Sequence, residues 1–371
     1  MLKRVTVTNF KNFSKKTVFD LSAPANYEFN GEIISQGCVT KGIIYGINGS
    51  GKSNLALAVF DIVLHLTDKY KLLEKYVNYL NLSSSKPCAD FEYIFVFDGQ
   101  ELIYQYGKKD RETLTYEKLS IGGNEVLSYD YGQQAGYTTL KGAENLKLTS
   151  TINTGSNKLS RVKYVSSNAI LQDNPENRTF SRFIDFVNRM LMFYSLDTNG
   201  YQGLQEGIES CTQGIVREHK EKEFQEFLKK SKIDYELVSL NTNGIEDLYC
   251  KFSNKYVPFS SIASTGTKSL ALFYYWYLKF SRASLVFIDE YDAFYHFELS
   301  QSLVLMLKQL TKTQVFLSTH NTDLLSNDIL RPDAYFEIKD NTIRSLDKCT
   351  EKELRRAHNI QKMYKAGAFN G

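Results

Sequence analysis

A glycine-rich segment is the pattern in this sequence that most directly indicates chemistry. Residues 46–53 read GINGSGKS and fit the pattern GxxxxGK[ST], the P-loop. A short apolar run, 42–45, precedes the segment, and apolar residues at helical spacing follow it as far as Leu66, which predicts a strand before the glycines and a helix after them. Backbone N–H groups in such a turn wrap phosphates, and the helix N-terminus adds the positive end of its dipole. The segment therefore predicts a site for nucleotide phosphates.

The residue types of this loop predict ATP and Mg²⁺ as ligands. Lys52 is expected to pair with the β- and γ-phosphates, and the hydroxyl group of Ser53 is expected to hold Mg²⁺. The predicted contacts are Gly46, Asn48, Gly49, Ser50, Gly51, Lys52, Ser53 and Asn54.

An apolar strand that ends in two acids supplies the second candidate segment. Residues 284–290 read SLVFIDE. Such an ending is common and means little alone, but a carboxylate at the carboxyl end of a parallel strand lies where these sheets bind ligands. Together with the P-loop, it predicts that Asp289 binds Mg²⁺ through water and that Glu290 polarises the attacking water.

Two further segments are weak signals by themselves. Residues 264–268 read STGTK and precede an apolar helix, so Ser264 is simply a good helix N-cap. Residues 317–321 read LSTHN and place His320 at a strand end, where a lone histidine is more often structural. Their order along the chain gives them more weight than their composition does.

In that order, the four segments resemble the soluble, non-transporter ABC-type ATPases related to RecF, SMC and OLD proteins. The resemblance is closest to the single-chain ATPases of bacterial anti-phage and abortive-infection systems, and it covers nearly the whole chain. Residues 9–13 (NFKNF), 330–333 (LRPD) and 353–367 near the end also resemble this group.

The resemblance assigns roles that the residues alone do not. It implies that Ser264 and Gly266 close over the nucleotide of another subunit, so that two chains pair head to tail as a homodimer or within a larger homo-oligomer. It implies that His320 contacts the γ-phosphate and the attacking water, and that Asp292 belongs to the segment after the acidic pair. The transporter signature LSGGQ is replaced here by ASTGT at 263–267, so this contact differs in detail.

Two residues near these segments are less clearly assigned. No obvious Q-loop is present, and Gln172 is the candidate for that role, with an exposed loop glutamine as the alternative. His296 matches a position of the family pattern, but a structural role is the preferred interpretation.

The expected fold class is α/β, namely a P-loop NTPase of the ABC-ATPase head type with a β subdomain and a helical signature lobe. Strand–helix alternation in the last third of the chain supports a mostly parallel sheet. The expected units are an ATPase core at 1–66 and 252–345, a β-rich insertion at 67–170, a helical lobe at 171–251 and a helical tail at 346–371. The tail starts with a capping-box pattern at Thr350, and it is either a docked terminal helix or a docking site for an effector or nucleic acid.

Composition excludes several classes of protein. The chain has 371 residues, of which 42% are hydrophobic, 23% charged and five proline, so it is globular. Five scattered cysteines without a CxxC pair favour a reduced, cytoplasmic protein over a zinc ribbon. No secretory signal is expected, and no apolar run approaches the roughly 18 residues of a membrane span, so no membrane partner is expected.

Three functions remain open. The preferred hypothesis is an ATP-hydrolysing switch that senses or regulates a separate effector protein in anti-phage defence. The alternative is a DNA-repair or DNA-maintenance ATPase that clamps DNA in the manner of RecF, which the net charge of +3 slightly disfavours. A stand-alone NTPase is the third.

Overall fold

Two seven-stranded sheets, with a three-stranded and a two-stranded sheet beside them, organise the described part of the chain. The computed structural model describes residues 1–23, 25–69, 71–148, 159–194, 201–203, 210–293 and 297–369. None of the helices in these ranges is long and apolar enough to cross a membrane.

The first seven-stranded sheet is antiparallel throughout, in the order β10-β9-β8-β7-β6-β1-β2. Its strands are β1 Leu2–Thr8, β2 Thr17–Asp20, β6 Ala89–Phe97, β7 Gln100–Lys108, β8 Leu114–Ile121, β9 Asn124–Asp130 and β10 Ala135–Thr138. Asp98 and Gly99 form the turn between β6 and β7, and both residues have positive φ, 51° and 79°, as a tight two-residue turn requires.

The second seven-stranded sheet is parallel at its centre and carries the P-loop. Its order is β12-β11-β16-β17-β5-β18-β19, with antiparallel edge strands. Its strands are β5 Lys41–Tyr45, β11 Met190–Tyr194, β12 Tyr201–Gly203, β16 Leu285–Asp289, β17 Gln314–Ser318, β18 Tyr335–Lys339 and β19 Thr342–Ser345. Every residue of β5, β16 and β17 is buried, as expected for parallel strands covered on both faces.

The remaining strands are short additions. They are β3 Ile34–Ser35 and β4 Cys38–Val39, which pair with each other, and β13 Leu237–Thr242, β14 Ile245–Phe252 and β15 Lys255–Pro258, which form the three-stranded sheet. The helices are α1 Lys52–Leu66, α2 Arg161–Asn168, α3 Pro175–Asn188, α4 Cys211–Arg217, α5 Glu221–Lys230, α6 Phe259–Ile262, α7 Thr265–Phe280, α8 Phe297–Lys308 and α9 Ile360–Lys365.

The helix α1 lies between the two large sheets. It contacts β11 and β16 of the parallel sheet, and the carbonyl of Ala58 accepts a hydrogen bond from Tyr93 of the antiparallel sheet. The helix is buried almost all round, which explains its apolar composition. The predicted α/β fold class is thereby confirmed.

The predicted units are more interwoven in the structure than the sequence boundaries suggest. β1 and β2 of the predicted core join the sheet that contains the insertion. β11 falls within the predicted helical lobe at 171–251, yet it pairs in parallel with β16 of the core sheet. The physical reason is that its five apolar residues suit a buried strand as well as a buried helix, and periodicity cannot separate the two.

The tail helix begins later than the capping-box pattern predicts. Thr350 caps only a local turn by accepting from the backbone N–H of Lys352, and α9 starts after Asn359, whose side chain accepts from the N–H of Lys362. The amide of Asn327 donates hydrogen bonds to three tail carbonyls, those of Arg355, Arg356 and His358. These bonds hold the segment before α9 in a non-helical conformation.

Candidate functional site

Two glycines give the P-loop its path from β5 to α1. Gly49 and Gly51 have φ of 78° and 108°, in the region that residues with a Cβ rarely adopt. A Cβ on Gly51 would lie 2.5 Å from the side-chain nitrogen of Asn12, whereas nothing lies within 4 Å of a Cβ on Gly49. The loop is therefore packed closely behind Gly51 and open in front of Gly49, where a ligand has room.

Lys52 is enclosed by the loop it follows. Its side chain donates a 2.8 Å hydrogen bond to the carbonyl of Gly46, and its Nζ lies 2.9 Å from Nε2 of His320. Burial lowers the pKa of Lys52, and the charges of Glu290 and Asp289 oppose that shift. The ammonium group is thus held by protein acceptors at the place where phosphate oxygens would replace them.

The acidic pair is fixed by a serine that the sequence reasoning missed. Asp289 ends β16 and is buried, and the hydroxyl of Ser318 at the end of β17 donates to its Oδ1 over 2.5 Å. The same hydroxyl accepts the backbone N–H of Glu290 over 2.8 Å. Glu290 itself has a φ of 43°. The only sequence signal for this role is a pair of polar residues, Ser318 and Thr319, after an apolar strand.

Glu290 and His320 face the same surface depression. It has a volume of about 430 Å³, and Asp292 and Asn321 also line it. Asp292 accepts a 2.6 Å hydrogen bond from the hydroxyl of Thr319, the residue before His320. Burial, and then the charge of Lys52, lower the pKa of His320, so the imidazole is neutral at neutral pH. The structure thus brings Lys52, Asp289, Glu290, Asp292 and His320 to the carboxyl ends of neighbouring strands.

Asn12 is a second residue whose role at the site was not predicted. Its side-chain nitrogen donates to Oδ1 of Asn341 over 3.0 Å, and its Oδ1 accepts from Asn54 over 2.7 Å. The carbonyl of Ser50 lies 3.4 Å from the same nitrogen. Asn12 therefore fastens the β1–β2 connection, the P-loop, α1 and the β18–β19 turn together.

The residues present fit a nucleotide with its magnesium ion. Ser50 contributes a buried Oγ that has no hydrogen-bond partner among the described residues, beside the open space at Gly49. Ser53 is in the first turn of α1, and Asp289 offers one carboxylate. Among the described residues no cluster of three or more His, Cys, Asp or Glu could hold a metal alone. Mg²⁺ typically uses one or two carboxylates together with phosphates and waters, so this donor set is sufficient only with a nucleotide.

Ser264 and Gly266 lie at the N-terminal end of α7. Ser264 caps α7 by accepting from the N–H of Thr267 over 3.2 Å, and it is exposed. α7 packs against α4 and α5, and no described hydrogen bond connects Ser264 or Gly266 with the P-loop of the same chain.

The remaining predictions are not brought to this cluster. Gln172 is exposed between α2 and α3, and its backbone N–H donates to the carbonyl of Lys141 over 3.0 Å. Its role in a Q-loop stays a prediction. His296 lies outside the described residues.

One protein-family model matches part of the chain. Residues 215–326 match the model described as "AAA domain, putative AbiEii toxin, Type IV TA system". The match spans less than a third of the chain and includes the segments around Ser264, Asp289 and His320, but not the P-loop. No curated protein matches the sequence.

Solved structures with similar folds include heads of SMC proteins and a recombination mediator. The SMC head domain from Thermotoga maritima is 13% identical, with 92% of this chain and 97% of that chain covered and a TM-score of 0.42. An Smc head bound to the C-winged helix domain of ScpA is 14% identical, with 94% and 98% covered and a TM-score of 0.45. The recombination mediator RecF with ATP is 14% identical, with 93% and 99% covered and a TM-score of 0.39. At these TM-scores the similarities carry no argument about function.

Proposed function

We propose that this chain, which has the P-loop fold and motif order of an ABC-type ATPase, hydrolyses ATP with Mg²⁺ and uses the nucleotide to switch its state. The observation that carries the proposal is the convergence of Lys52, Glu290 and His320, with Nζ of Lys52 only 2.9 Å from Nε2 of His320. The three side chains come from three different strand ends, and a phosphate-binding loop adjoins them.

Each site residue has a separate role in the proposed reaction. Lys52 exchanges its loop carbonyl acceptors for the β- and γ-phosphates, and the loop N–H groups cradle the same oxygens. Ser53 and Asp289 hold Mg²⁺, which neutralises charge that develops on the phosphates. Glu290 orients and polarises the attacking water, and the neutral His320 is able to donate a hydrogen bond to the γ-phosphate.

The catalytic part of the proposal is tested by phosphate release from ATP. Lys52→Ala is expected to lower the rate at least about 100-fold, because a preorganised positive donor at the transferring phosphate is lost. Lys86→Ala is the matched control, since this exposed lysine lies in a surface loop. The rate is expected to fall as well when EDTA removes Mg²⁺. A Lys52→Ala variant as active as the control would overturn the proposal.

We further propose that the switch acts as a homodimer or larger homo-oligomer on a separate effector protein in bacterial anti-phage defence. Exposed Ser264 caps α7 and half-buried Gly266 lies in its first turn, at a helix N-terminus that favours anions, and no hydrogen bond among the described residues joins either of them to the P-loop of the same chain. The family description that names a toxin of a toxin–antitoxin system supports a defence role. The net charge of +3 gives little support to the alternative, a DNA clamp.

Purification of Glu290→Gln from its native cell separates the two roles. This variant is expected to bind ATP and to hydrolyse it poorly, so that it accumulates the ATP-bound state. A protein that co-purifies in constant ratio after nuclease treatment supports the effector hypothesis. Nucleic acid that co-purifies, together with protein lost after nuclease treatment, would instead establish the DNA clamp.

A further inference from the structure

A cavity of about 610 Å³ lies on the flank of the P-loop, away from the Glu290 depression. One wall is the loop itself, 46–50, with Asn12 beside it. The opposite wall comes from β18 and from the end of the chain, where Glu337, Tyr364 and Phe369 line the space. Its volume is in the range of small-molecule sites.

The position of this cavity suits a group attached to phosphates that the loop binds. The cavity and the phosphate site share the P-loop residues as a common wall. Phosphates at the N-terminus of α1 leave their nucleoside outside the helix, and this cavity lies there with residues 46–50 of the loop in its wall.

The part of the cavity wall that contains Tyr364 and Phe369 is held in place by its contacts with the rest of the protein. The hydroxyl of Tyr364 donates to Oε1 of Glu337 over 2.8 Å. The Tyr364 ring has its centre 6.0 Å from that of Tyr45, the residue that ends β5 directly before the P-loop. It is also 6.3 Å from the ring of Phe369, which is 3% exposed. The end of the chain is therefore anchored to the same strand that leads into the phosphate loop.

The chemistry of the wall matches a nucleobase. Aromatic rings offer faces on which bases stack. A carboxylate accepts hydrogen bonds from the exocyclic amino groups that adenine and guanine carry. Both features occur on one side of the cavity, in Tyr364 and Phe369 and in Glu337.

We propose that this cavity is the nucleoside subsite and that the chain end, 360–369, forms its outer wall. Tyr364 supplies the aromatic surface with the buried Phe369 packed against it, and Glu337 accepts a hydrogen bond from the amino group of a purine base. The inference rests on the proposed function, because it requires that the P-loop binds the phosphates of the same molecule. It makes the tail part of the nucleotide site, so a partner that holds the tail also changes nucleotide affinity.

Calorimetric titration with two magnesium-bound probes, ATP and inorganic tripolyphosphate, tests the subsite. Tyr364→Ala is expected to weaken ATP binding about tenfold, as loss of base–aromatic stacking does, and to leave tripolyphosphate binding unchanged. Tyr364→Phe keeps the ring and is expected to retain most of the ATP affinity. Lys362→Ala, an exposed position on the same helix, is the matched control.

The role of Glu337 is tested with inosine triphosphate, which has no exocyclic amino group. The wild-type protein is expected to bind ATP or GTP several-fold more tightly than inosine triphosphate, and Glu337→Ala is expected to remove that difference.

The outcomes distinguish failure of this inference from failure of the proposed function. Equal loss of ATP and tripolyphosphate affinity in Tyr364→Ala, or no loss of either, overturns the subsite while leaving the ATPase proposal intact. Failure of the wild-type protein to bind either probe, or a Lys52→Ala variant that binds both probes as tightly as the wild-type protein, overturns the ATPase proposal and the subsite with it.

Discussion

Ser318 serves both acidic residues of the site with a single hydroxyl group. It donates to the carboxylate of Asp289 and accepts from the backbone N–H of Glu290, so it fixes the Asp289 carboxylate and the backbone from which the Glu290 side chain projects. Both contacts are buried or partly buried, and removal of the hydroxyl would leave a backbone N–H without its acceptor.

Ser318→Ala is therefore expected to lower kcat for ATP about tenfold while KM changes little, as loss of an outer-shell partner commonly does. Ser318→Thr keeps the hydroxyl and is the control. Steady-state phosphate release measures both constants. A variant that raises KM and leaves kcat unchanged would show that Ser318 supports ground-state binding instead.

His65 is a titratable residue of α1 that takes no part in the site. It is buried, and its Nε2 lies 2.8 Å from the hydroxyl of Tyr104. Burial, followed by the charge of Lys108, lowers the pKa of His65 well below its usual value. The unfolded chain takes up a proton near pH 6.5 and the folded chain does not. Protonation of the unfolded chain therefore does not lower the free energy of unfolding above pH 6.5, but it lowers this free energy increasingly as the pH drops below that value.

The expected slope is at most about 1.4 kcal/mol per pH unit for this one group. Urea unfolding at pH 7.5, 6.5 and 5.5 measures it. Burial also lowers the pKa of the Met1 amino group to about 5, with the same sign of effect, so the comparison with His65→Gln isolates the histidine. Identical slopes for the variant and the wild-type protein would contradict the assignment.

At the scale of elements, an ion pair inside the protein ties α1 to the antiparallel sheet. Asp61 accepts a 2.7 Å hydrogen bond from Lys108, and both side chains are fully buried. Tyr79 and Tyr106 each donate to the same carboxylate. Burial lowers the pKa of Lys108, whereas the Asp61 charge opposes that shift. The pair therefore connects the P-loop helix to the β lobe.

Loss of one partner leaves the other charge buried and unpaired. Asp61→Ala is expected to lower the free energy of unfolding by about 3–5 kcal/mol, and the double variant Asp61→Leu/Lys108→Met is expected to recover most of it. Urea unfolding of the two variants provides the comparison. A double variant less stable than Asp61→Ala would contradict this expectation. It would show that the apolar replacements do not compensate for the hydrogen bonds that Tyr79 and Tyr106 lose.

The elements that the sequence predicted well have strong local signals. The P-loop glycines adopt positive φ values that few other residue types tolerate, and β16 and β17 are short apolar runs that end in polar residues, as buried strands do. β11 was misassigned because five apolar residues carry no period that separates strand from helix. The Asn12–Asn341 contact joins residues 329 positions apart, so no local pattern could predict it. Ser318 was missed because its role depends on which strands are neighbours.

At the scale of the whole molecule, the proposed homodimer predicts that the turn at Ser264 and Gly266 acts on the P-loop of another chain. Lys52, Glu290 and His320 lie together, whereas Ser264 and Gly266 are on a helix that packs elsewhere. A two-fold pair in which each signature turn covers the partner's P-loop would produce two equivalent composite sites.

Co-expression of two inactive variants distinguishes these arrangements. Lys52→Ala removes a phosphate contact, and Ser264→Arg blocks the signature turn, so each homodimer is expected to be inactive. Half of the dimers in a random mixture contain both chains, and each of these has one intact composite site, so about a quarter of wild-type activity is expected to return. The control mixture is Lys52→Ala with Glu290→Gln, in which both defects lie on the P-loop side and every site stays damaged. Activity that returns only in the first mixture requires that one chain completes the site of another, whereas a Ser264→Arg protein as active as the wild type would assign hydrolysis to a single chain.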